Sequence, residues 1–340
     1  MDGAKRGRML PEGAVLVCCI GSLGKTGVAG VPLITNQQIN AIIFDPNQVE
    51  ARYGYYAARK LTHLLEHFAP STTVKIIKKS SFAKMEIPLP PLTEQKRIAK
   101  ILDTADALRA KRRETLAQLD TFLQSTFLDM FGDPVTNPKG WEVNVFDSWL
   151  DNLDSGWSPK CLVRKANDRE WGVLKLGAVT RCEFNEAEQK ALPPDLEPRP
   201  KIEVHQGDLL FARKNTHELV AAVAYVHDTR PNLMLSDLIF RLRLKLGAGV
   251  EPTFLWKLLA EPHQRQTIQK LAGGAAGSMP NISKAKLKTV KLIKPPLPLQ
   301  TKFATIVKSV EQQKSRMKTH LTELDTLFAS LQQRAFNGDL

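Results

Sequence analysis

Pro90-Pro91-Leu92-Thr93-Glu94-Gln95 opens a long amphipathic stretch, and Pro295-Pro296-Leu297-Pro298-Leu299-Gln300 opens a second one 205 positions later (295 − 90). At that constant offset Ala99 pairs with Ala304, Ile101 with Ile306, Leu116 with Leu321, Leu119-Asp120-Thr121 with Leu324-Asp325-Thr326, Ser125 with Ser330 and Phe131 with Phe336. Both copies close on a Gly-Asp pair, Gly132-Asp133 and Gly338-Asp339. A repeated helix separated by a globular segment implies a chain that is approximately symmetric about itself, an arrangement suited to a two-part target.

Proline cannot continue a helix, so Pro88, Pro90 and Pro91 interrupt regular structure and place a helix start just after them. Ile98, Ile101, Ala105, Leu108, Arg112, Thr115, Leu119, Phe122 and Thr126 then recur at three- and four-residue steps, which predicts one seam. At about 1.5 Å per residue, Ile98 to Phe131 would extend roughly 50 Å. In the second copy Val310, Met317, Leu321, Leu324, Phe328, Leu331 and Ala335 hold a heptad spacing interrupted by Lys314. Two such seams most simply bury each other as an antiparallel coiled coil. The alternative is that each helix packs on its own neighbouring globular unit.

From Gly13 to about Pro88 the short apolar runs Ala14–Ile20 and Ile39–Phe44 read as strands, and Tyr53–Phe68 reads as a helix. Trp141 to about Leu292 is a second mixed unit. There Val173–Leu176, Asp208–Ala212, Ala221–Val226 and Leu238–Leu244 read as strands, and Phe254–Leu271 as a helix. Gly132-Asp133-Pro134 and Asn137-Pro138-Lys139-Gly140 form a turn-rich linker. Gly13-Ala14-Val15-Leu16-Val17 also matches Gly207-Asp208-Leu209-Leu210-Phe211, so the duplication covers a whole globular-plus-helix module. On that alignment nothing in the first copy corresponds to Trp141–Pro194, and the first globular unit is expected to be a shortened form. The fold class is therefore α+β, in segments 1–88, 89–131, 132–140, 141–292 and 293–340.

The chain has 340 residues, and its 48 lysines and arginines against 35 aspartates and glutamates leave a net charge of +13. Such an excess favours a polyanionic partner, since each cation that neutralises a phosphate also releases a counterion; a merely basic surface is the alternative. No apolar run reaches the roughly 18 residues of a membrane span. The start, Met1–Arg8, lacks the apolar core of a secretory signal. Cys18, Cys19, Cys161 and Cys182 show no metal or disulfide spacing, which fits a reducing cytoplasm.

Ile87-Pro88-Leu89-Pro90-Pro91-Leu92 with Gln95, Leu102-Asp103-Thr104-Ala105-Asp106-Ala107-Leu108-Arg109-Ala110-Lys111-Arg112-Arg113, and Met130-Phe131-Gly132-Asp133-Pro134 with Asn137-Pro138-Lys139-Gly140-Trp141 resemble the central region of the DNA specificity subunits of type I restriction-modification systems. Gln333-Arg334-Ala335-Phe336-Asn337-Gly338-Asp339-Leu340 is similar to that family's ending. Thr35–Asn40 and Asn281-Ile282-Ser283 are similar to landmarks inside its target recognition domains. The resemblance implies two target recognition domains, each reading half of a split double-stranded DNA target, and two long antiparallel helices that space them and dock modification subunits. It implies no catalysis and no cofactor in this chain. S-adenosylmethionine belongs to the partner modification subunit, and a restriction subunit joins through the complex. Pairing with a second copy of the chain is left open. So are two other readings, a helical scaffold with two protein-binding modules and an inactive, truncated specificity subunit.

Side chains with amide or guanidinium forks can grip two base-edge atoms at once. In the second domain Arg213-Lys214-Asn215-Thr216 on a loop after a strand is the first candidate, and Trp157-Ser158-Pro159-Lys160 the second. In the first domain Lys25, Asn36, Gln37 and Gln38 are candidates, with Asn36–Asn40 equally readable as a structural turn. Lys75, Lys78 and Lys79 suit phosphate better than bases. Lys111-Arg112-Arg113 reads as a solvated helix face or as a surface lying against DNA. Ile101, Leu108, Leu119, Phe122, Met317, Leu321, Leu324, Phe328 and Leu331 are the expected helical seam and subunit-docking set. Gly24-Lys25-Thr26 imitates a phosphate loop, but Cys19 stands where such a loop needs glycine. His63 and His67 share a helical spacing without a third metal ligand, so no metal site is expected.

Overall fold

The computed structural model describes residues 9–61, 76–274 and 279–340. They fall into two compact units, one ending at Ala117 and completed by Lys314–Leu340, the other Gln118–Gln313. His63, His67, Lys75 and the part of the expected Tyr53–Phe68 helix beyond Leu61 lie outside the described residues.

In the first unit β1 (Val15–Cys18), β2 (Thr26–Val28) and β3 (Ile39–Ile42) form an antiparallel sheet in the order β2-β1-β3. Val15 and Val17 are buried while Leu16 and Cys18 are half-buried, the two-residue alternation of a strand packed on one face. α1 (Ala51–Lys60) follows, then the short α2 (Lys79–Phe82) and the long α3 (Leu92–Phe131). Tyr53, Tyr56 and Ala57 of α1 pack with Ile98, Ala99, Leu102 and Ala105 of α3 and with Phe328, Ala335 and Phe336. The last three belong to the C-terminal helix, Leu297–Asn337.

The second unit contains β4 (Glu142–Val145), β5 (Leu150–Ser155), β6 (Gly172–Leu174), β7 (Gln189–Ala191), β8 (Leu209–Ala212), β9 (Val223–Tyr225), β10 (Leu233–Met234), β11 (Ile239–Leu244) and β12 (Lys291–Lys294). Its helices are α4 (Pro252–Ala260), α5 (Pro262–Gln269), α6 (Lys284–Lys288) and the first part of α7 (Leu297–Asn337). The central sheet runs β5-β11-β8-β9, all antiparallel. In β8, Leu209 and Phe211 face one core while Leu210 and Ala212 face another, which is why this strand reads as an unbroken apolar run. A single helix expected over Phe254–Leu271 is instead two. Pro262 cannot donate to a preceding turn, and the Glu261 carboxylate caps the second helix by accepting the Gln264 N–H at 2.9 Å.

Each long helix begins on the same lock. The buried Gln95 side chain accepts the Glu50 N–H (2.9 Å) and donates to the carbonyls of Gln48 (3.0 Å) and Pro90 (2.8 Å). Buried Gln300 accepts the Glu251 N–H (2.9 Å) and donates to those of Gly249 (3.3 Å) and Pro295 (2.7 Å). Glu50 and Glu251 in turn cap α1 and α4 by accepting the N–H groups of Tyr53 and Phe254. At the far end of each long helix Phe336 meets Tyr53 (5.3 Å between rings) and Phe131 meets Phe254 (4.8 Å). The duplication is thus preserved down to single hydrogen bonds.

Within each unit α3 and α7 run antiparallel. In the first, Arg97 donates to the Leu340 carbonyl and Arg113 pairs with Asp325, so numbers rise on one helix as they fall on the other. In the second, Phe127 and Phe131 both lie against Phe303, and Leu123 shares their core with Val310. The buried stripe of α3 corrects the expected seam. It passes through Ile98, Leu102, Ala105, Arg109, Leu123, Phe127 and Phe131, whereas Leu108 and Phe122 are 51% and 50% exposed and Ile101 is half-buried. Residues three and four ahead share one helix face, and packing on the globular core selects the fourth, so Leu102 and Arg109 rather than Ile101 and Leu108 follow Ile98 and Ala105 on the buried side. On α7 Val310, Phe328 and Ala335 are buried and Met317, Leu321, Leu324 and Leu331 half-buried. Arg109 occupies the α3 stripe because it is neutralised there, by Asp106 at 2.6 Å and Asp325 at 2.5 Å.

The turn after α3 is held by Asp133, which accepts the N–H groups of Val135 and Thr136 and lies 2.6 Å from His263 Nδ1 on α5. Partial burial pushes the Asp133 carboxyl up, but the His263 hydrogen bond and the two backbone donors outweigh it and hold it below the usual range. Asp133 holds the His263 imidazole above its ordinary value of 6.5. A raised histidine stabilises the fold below its unfolded pKa, and that contribution fades as pH rises through the folded value. His263→Gln is therefore expected to lower the thermal midpoint at pH about 6 and to leave it unchanged at pH about 9. Gln300→Leu strands one buried N–H and two buried carbonyls, and urea denaturation should show a loss of about 3 kcal/mol.

Candidate nucleic-acid interface

Strand register brings the two candidate loops of the second unit together. Phe240 of β11 pairs with both Ser155 at the end of β5 and Phe211 near the end of β8, and Ile239 pairs with Ala212. Gly156–Lys160, Arg213–Thr216 and the approach to β11, Ser236–Leu238, therefore emerge at one end of the central sheet. Cross-links fasten them: Trp157 N–H to the Leu235 carbonyl (2.9 Å), Asp237 N–H to Ser158 Oγ (3.2 Å), and Arg213 N–H to the Leu238 carbonyl (3.1 Å). A further strap comes from the segment before α6, where Ile282 N–H donates to the Arg213 carbonyl (2.8 Å) and Asn281 bridges Lys214. A Cβ on Gly156 would sit 2.2 Å from the Leu235 carbonyl oxygen, so only glycine lets the first loop lie this close.

Several cations in this unit are neutralised by carboxylates. Arg241 is buried in β11 and satisfied by Asp154 (2.9 Å), Asp208 (3.1 Å) and the carbonyls of Glu203 and Lys201. Burial raises the Asp154 carboxyl, yet the hydrogen bonds from Arg243 and Arg241 prevail and hold it low. Arg164 and Lys175 are likewise paired, with Glu170 and Glu188. At the sheet end three cations rest on rings instead: Arg213 Cζ lies 5.2 Å and Lys284 Nζ 5.6 Å from the Phe240 centroid, and Arg199 Cζ lies 3.9 Å from that of Trp157. Among the described residues none of Arg199, Arg213, Lys214 and Lys284 makes an ion pair with a carboxylate. Arg213 Nε and Asn281 Oδ1 are also buried without a hydrogen-bond partner.

Lys160 and Thr216 are exposed, and Trp157 is half-buried. Asn215 is a correction, because only 6% of it is exposed and its amide is engaged within the protein, accepting the Thr216 N–H (2.9 Å) and donating to Thr180 Oγ1 (3.4 Å). It shapes the loop rather than projecting from it.

In the first unit Lys25 lies on the β1–β2 hairpin, and Asn36–Gln38 lead into β3 at the same sheet end, where Cys18 pairs with Ile39. The hairpin disposes of the phosphate-loop imitation, since β2 and not a helix follows Gly24-Lys25-Thr26. Asn36 Oδ1 accepts the Gln38 N–H (3.0 Å), the structural-turn reading of this stretch, while Gln37 and Gln38 are exposed. Lys78 and Lys79 are exposed at the start of α2.

The two sheet ends match bond for bond. Cys19 N–H donates to Gln38 (2.8 Å) as Arg213 N–H does to Leu238, and Ile77 N–H donates to Cys19 (2.9 Å) as Ile282 N–H does to Arg213. The Ile20–Ile76 bridge repeats as Lys214–Asn281. Lys79 and Lys284 then begin corresponding helices. Reading the sequence alone overlooked Arg199, Asp237 and Lys284; the offset of 205 that aligns Lys79 with Lys284 was the signal for the last.

Two copies of one sheet-and-helix module, each presenting basic loops at one sheet end, define a duplicated α+β protein. The chain is similar to the DNA specificity subunits of type I restriction-modification systems. A family model described as the type I restriction modification DNA specificity domain matches residues 5–119. The chain is 34% identical over 191 residues to the type I restriction enzyme EcoEI specificity subunit of Escherichia coli, covering 55% of this chain and 32% of that protein. It is 25% identical over 299 residues to the EcoKI specificity subunit of Escherichia coli strain K12, covering 81% of this chain and 62% of that one. It thus spans less than two thirds of the length of both relatives. Its fold is similar to the crystal structure of the type I restriction-modification S subunit from M. genitalium, with a TM-score of 0.55 at 16% identity over 98% of this chain and 84% of that one. Among the described residues no helix is long and apolar enough to cross a membrane.

Gly156→Ala is expected to force the Trp157 loop away from Leu235, lowering stability by about 2 kcal/mol in urea and shifting tryptophan emission. Gly30→Ala, with open space around the added methyl, should change neither.

Proposed function

We propose that the chain is the non-catalytic DNA-recognition subunit of a type I restriction-modification complex, with each unit reading one half of a bipartite duplex. The observation that carries this is the paired sheet end, one scaffold built twice and furnished in the second unit with ring-supported cations that no carboxylate neutralises. A site with uncompensated positive charge and buried, unpartnered polar atoms is suited to a polyanion that supplies both phosphate and hydrogen-bonding edges. In the second unit Arg213, Lys214, Thr216, Trp157 and Lys160 face the duplex. In the first, Lys25, Asn36, Gln37 and Gln38 do so, with Lys75, Lys78 and Lys79 toward the phosphates. α3 and α7 act as spacer and docking rod for modification subunits that carry S-adenosylmethionine, and through them for the restriction subunit. Exposed Leu108, Phe122 and Leu327 are available on those helices for such docking.

Competitive binding of the chain assembled with its modification subunits tests the reading. A duplex carrying the methylated target should outcompete its scrambled counterpart by at least about 10³-fold. Replacing 141–292 by the corresponding segment of a relative should change one half of the methylated sequence and leave the other intact, as methylome sequencing would read. A change in both halves, or in neither, contradicts the assignment.

A further inference from the structure

The matched sheet ends separate what two reading heads share from what distinguishes them, and this inference rests on the DNA-recognition reading above. Two half-sites present the same phosphate backbone but different bases, so side chains repeated in both units suit phosphate and side chains that differ suit bases. Lys79 and Lys284 repeat, each opening the helix after the strap. The position of Arg213 does not. There the first unit has Cys19, 3% exposed, whose sulfur accepts a hydrogen bond from Asn40 Nδ2 at 3.2 Å; the second has Arg213 stacked on Phe240. Asn40 and Phe240 hold the same place, one residue after Ile39 and Ile239 in the strand that pairs with β1 or β8. One scaffold therefore carries an inward, self-satisfied pair in one head and a cation without an acidic partner in the other.

We propose that Arg213 is the specificity-determining residue by which the second unit identifies a guanine in its half-site, and that Lys284, like Lys79, binds phosphate. The geometry suits base reading. The Arg213 main chain is clamped on both sides by Leu238 and Ile282, and the guanidinium lies over a fully buried ring. A planar fork fixed in this way is matched to the paired acceptors O6 and N7 of guanine, and orienting it takes little rotamer freedom away on binding. Lys284, a point charge on a flexible stem, has no such preference for a planar edge.

The test uses the chain assembled with its modification subunits and a pool of fully randomised DNA duplexes, from which bound molecules are selected and sequenced. Wild type should select a bipartite sequence. Arg213→Lys keeps the charge and the contact with Phe240, so it remains folded, but loses the fork. It should relax selection at a single G·C position in one half, by about 10- to 100-fold, with the other half unchanged. Lys284→Ala should select the wild-type sequence while binding every duplex more weakly and with a shallower salt dependence. If Arg213→Lys preserves selection at every position, or merely weakens binding to all duplexes alike, Arg213 is not a base reader and the inference falls while the recognition reading stands. A wild-type complex that selects no sequence overturns both.

Discussion

A buried glutamine amide at the start of each long helix is the constraint on which the remainder of the molecule depends. Gln95 and Gln300 each join three chain segments at once: the proline-rich entry to the helix, the strand exit before the capping glutamate, and that glutamate's own backbone. Burial pushes the Glu251 carboxyl up despite its capping bond to Phe254 N–H, so the cap is tolerated only where the surrounding lock holds it in place. Because an unpaired amide or carbonyl in a dry interior is costly, the alternative registers of helix against sheet are excluded together. The direction in which α3 and α7 leave their sheets follows from these bonds, and the aromatic contacts Tyr53–Phe336 and Phe131–Phe254 then close the opposite ends.

Electrostatics divides the basic residues by duty. Where a cation serves the fold, carboxylates surround it, as Asp154 and Asp208 surround Arg241 and as Asp106 and Asp325 surround Arg109. Arg199, Arg213 and Lys284, at the sheet end of the second unit, instead lie over aromatic rings and make no ion pair with a carboxylate among the described residues. The net excess of 13 positive charges is therefore less informative than its distribution between neutralised and unneutralised cations.

Much of this organisation was legible in the sequence because repetition is a strong signal. The offset between Pro90 and Pro295 located both helices, and the apolar runs around Val15, Leu209 and Ile239 located their strands within a residue or two. What was not legible has physical causes. β2, β4, β7 and β10 are only two to four residues long, too short for any periodicity to register. The α3 stripe was displaced by one residue because Leu108 and Phe122 are as apolar as Leu102 and Leu123, and only packing decides between them. Asn215 has the right chemistry for base reading but its amide is consumed by the loop it shapes. The kinship of Cys19 with Arg213 is invisible to residue similarity and rests on backbone bonds alone.

The bonds that secure the loop at Cys19 and Arg213 run main chain to main chain and are the same whichever of the two side chains stands there. Such a position holds a buried thiol in one half of the protein and an arginine in the other while the framework bonds around it stay the same.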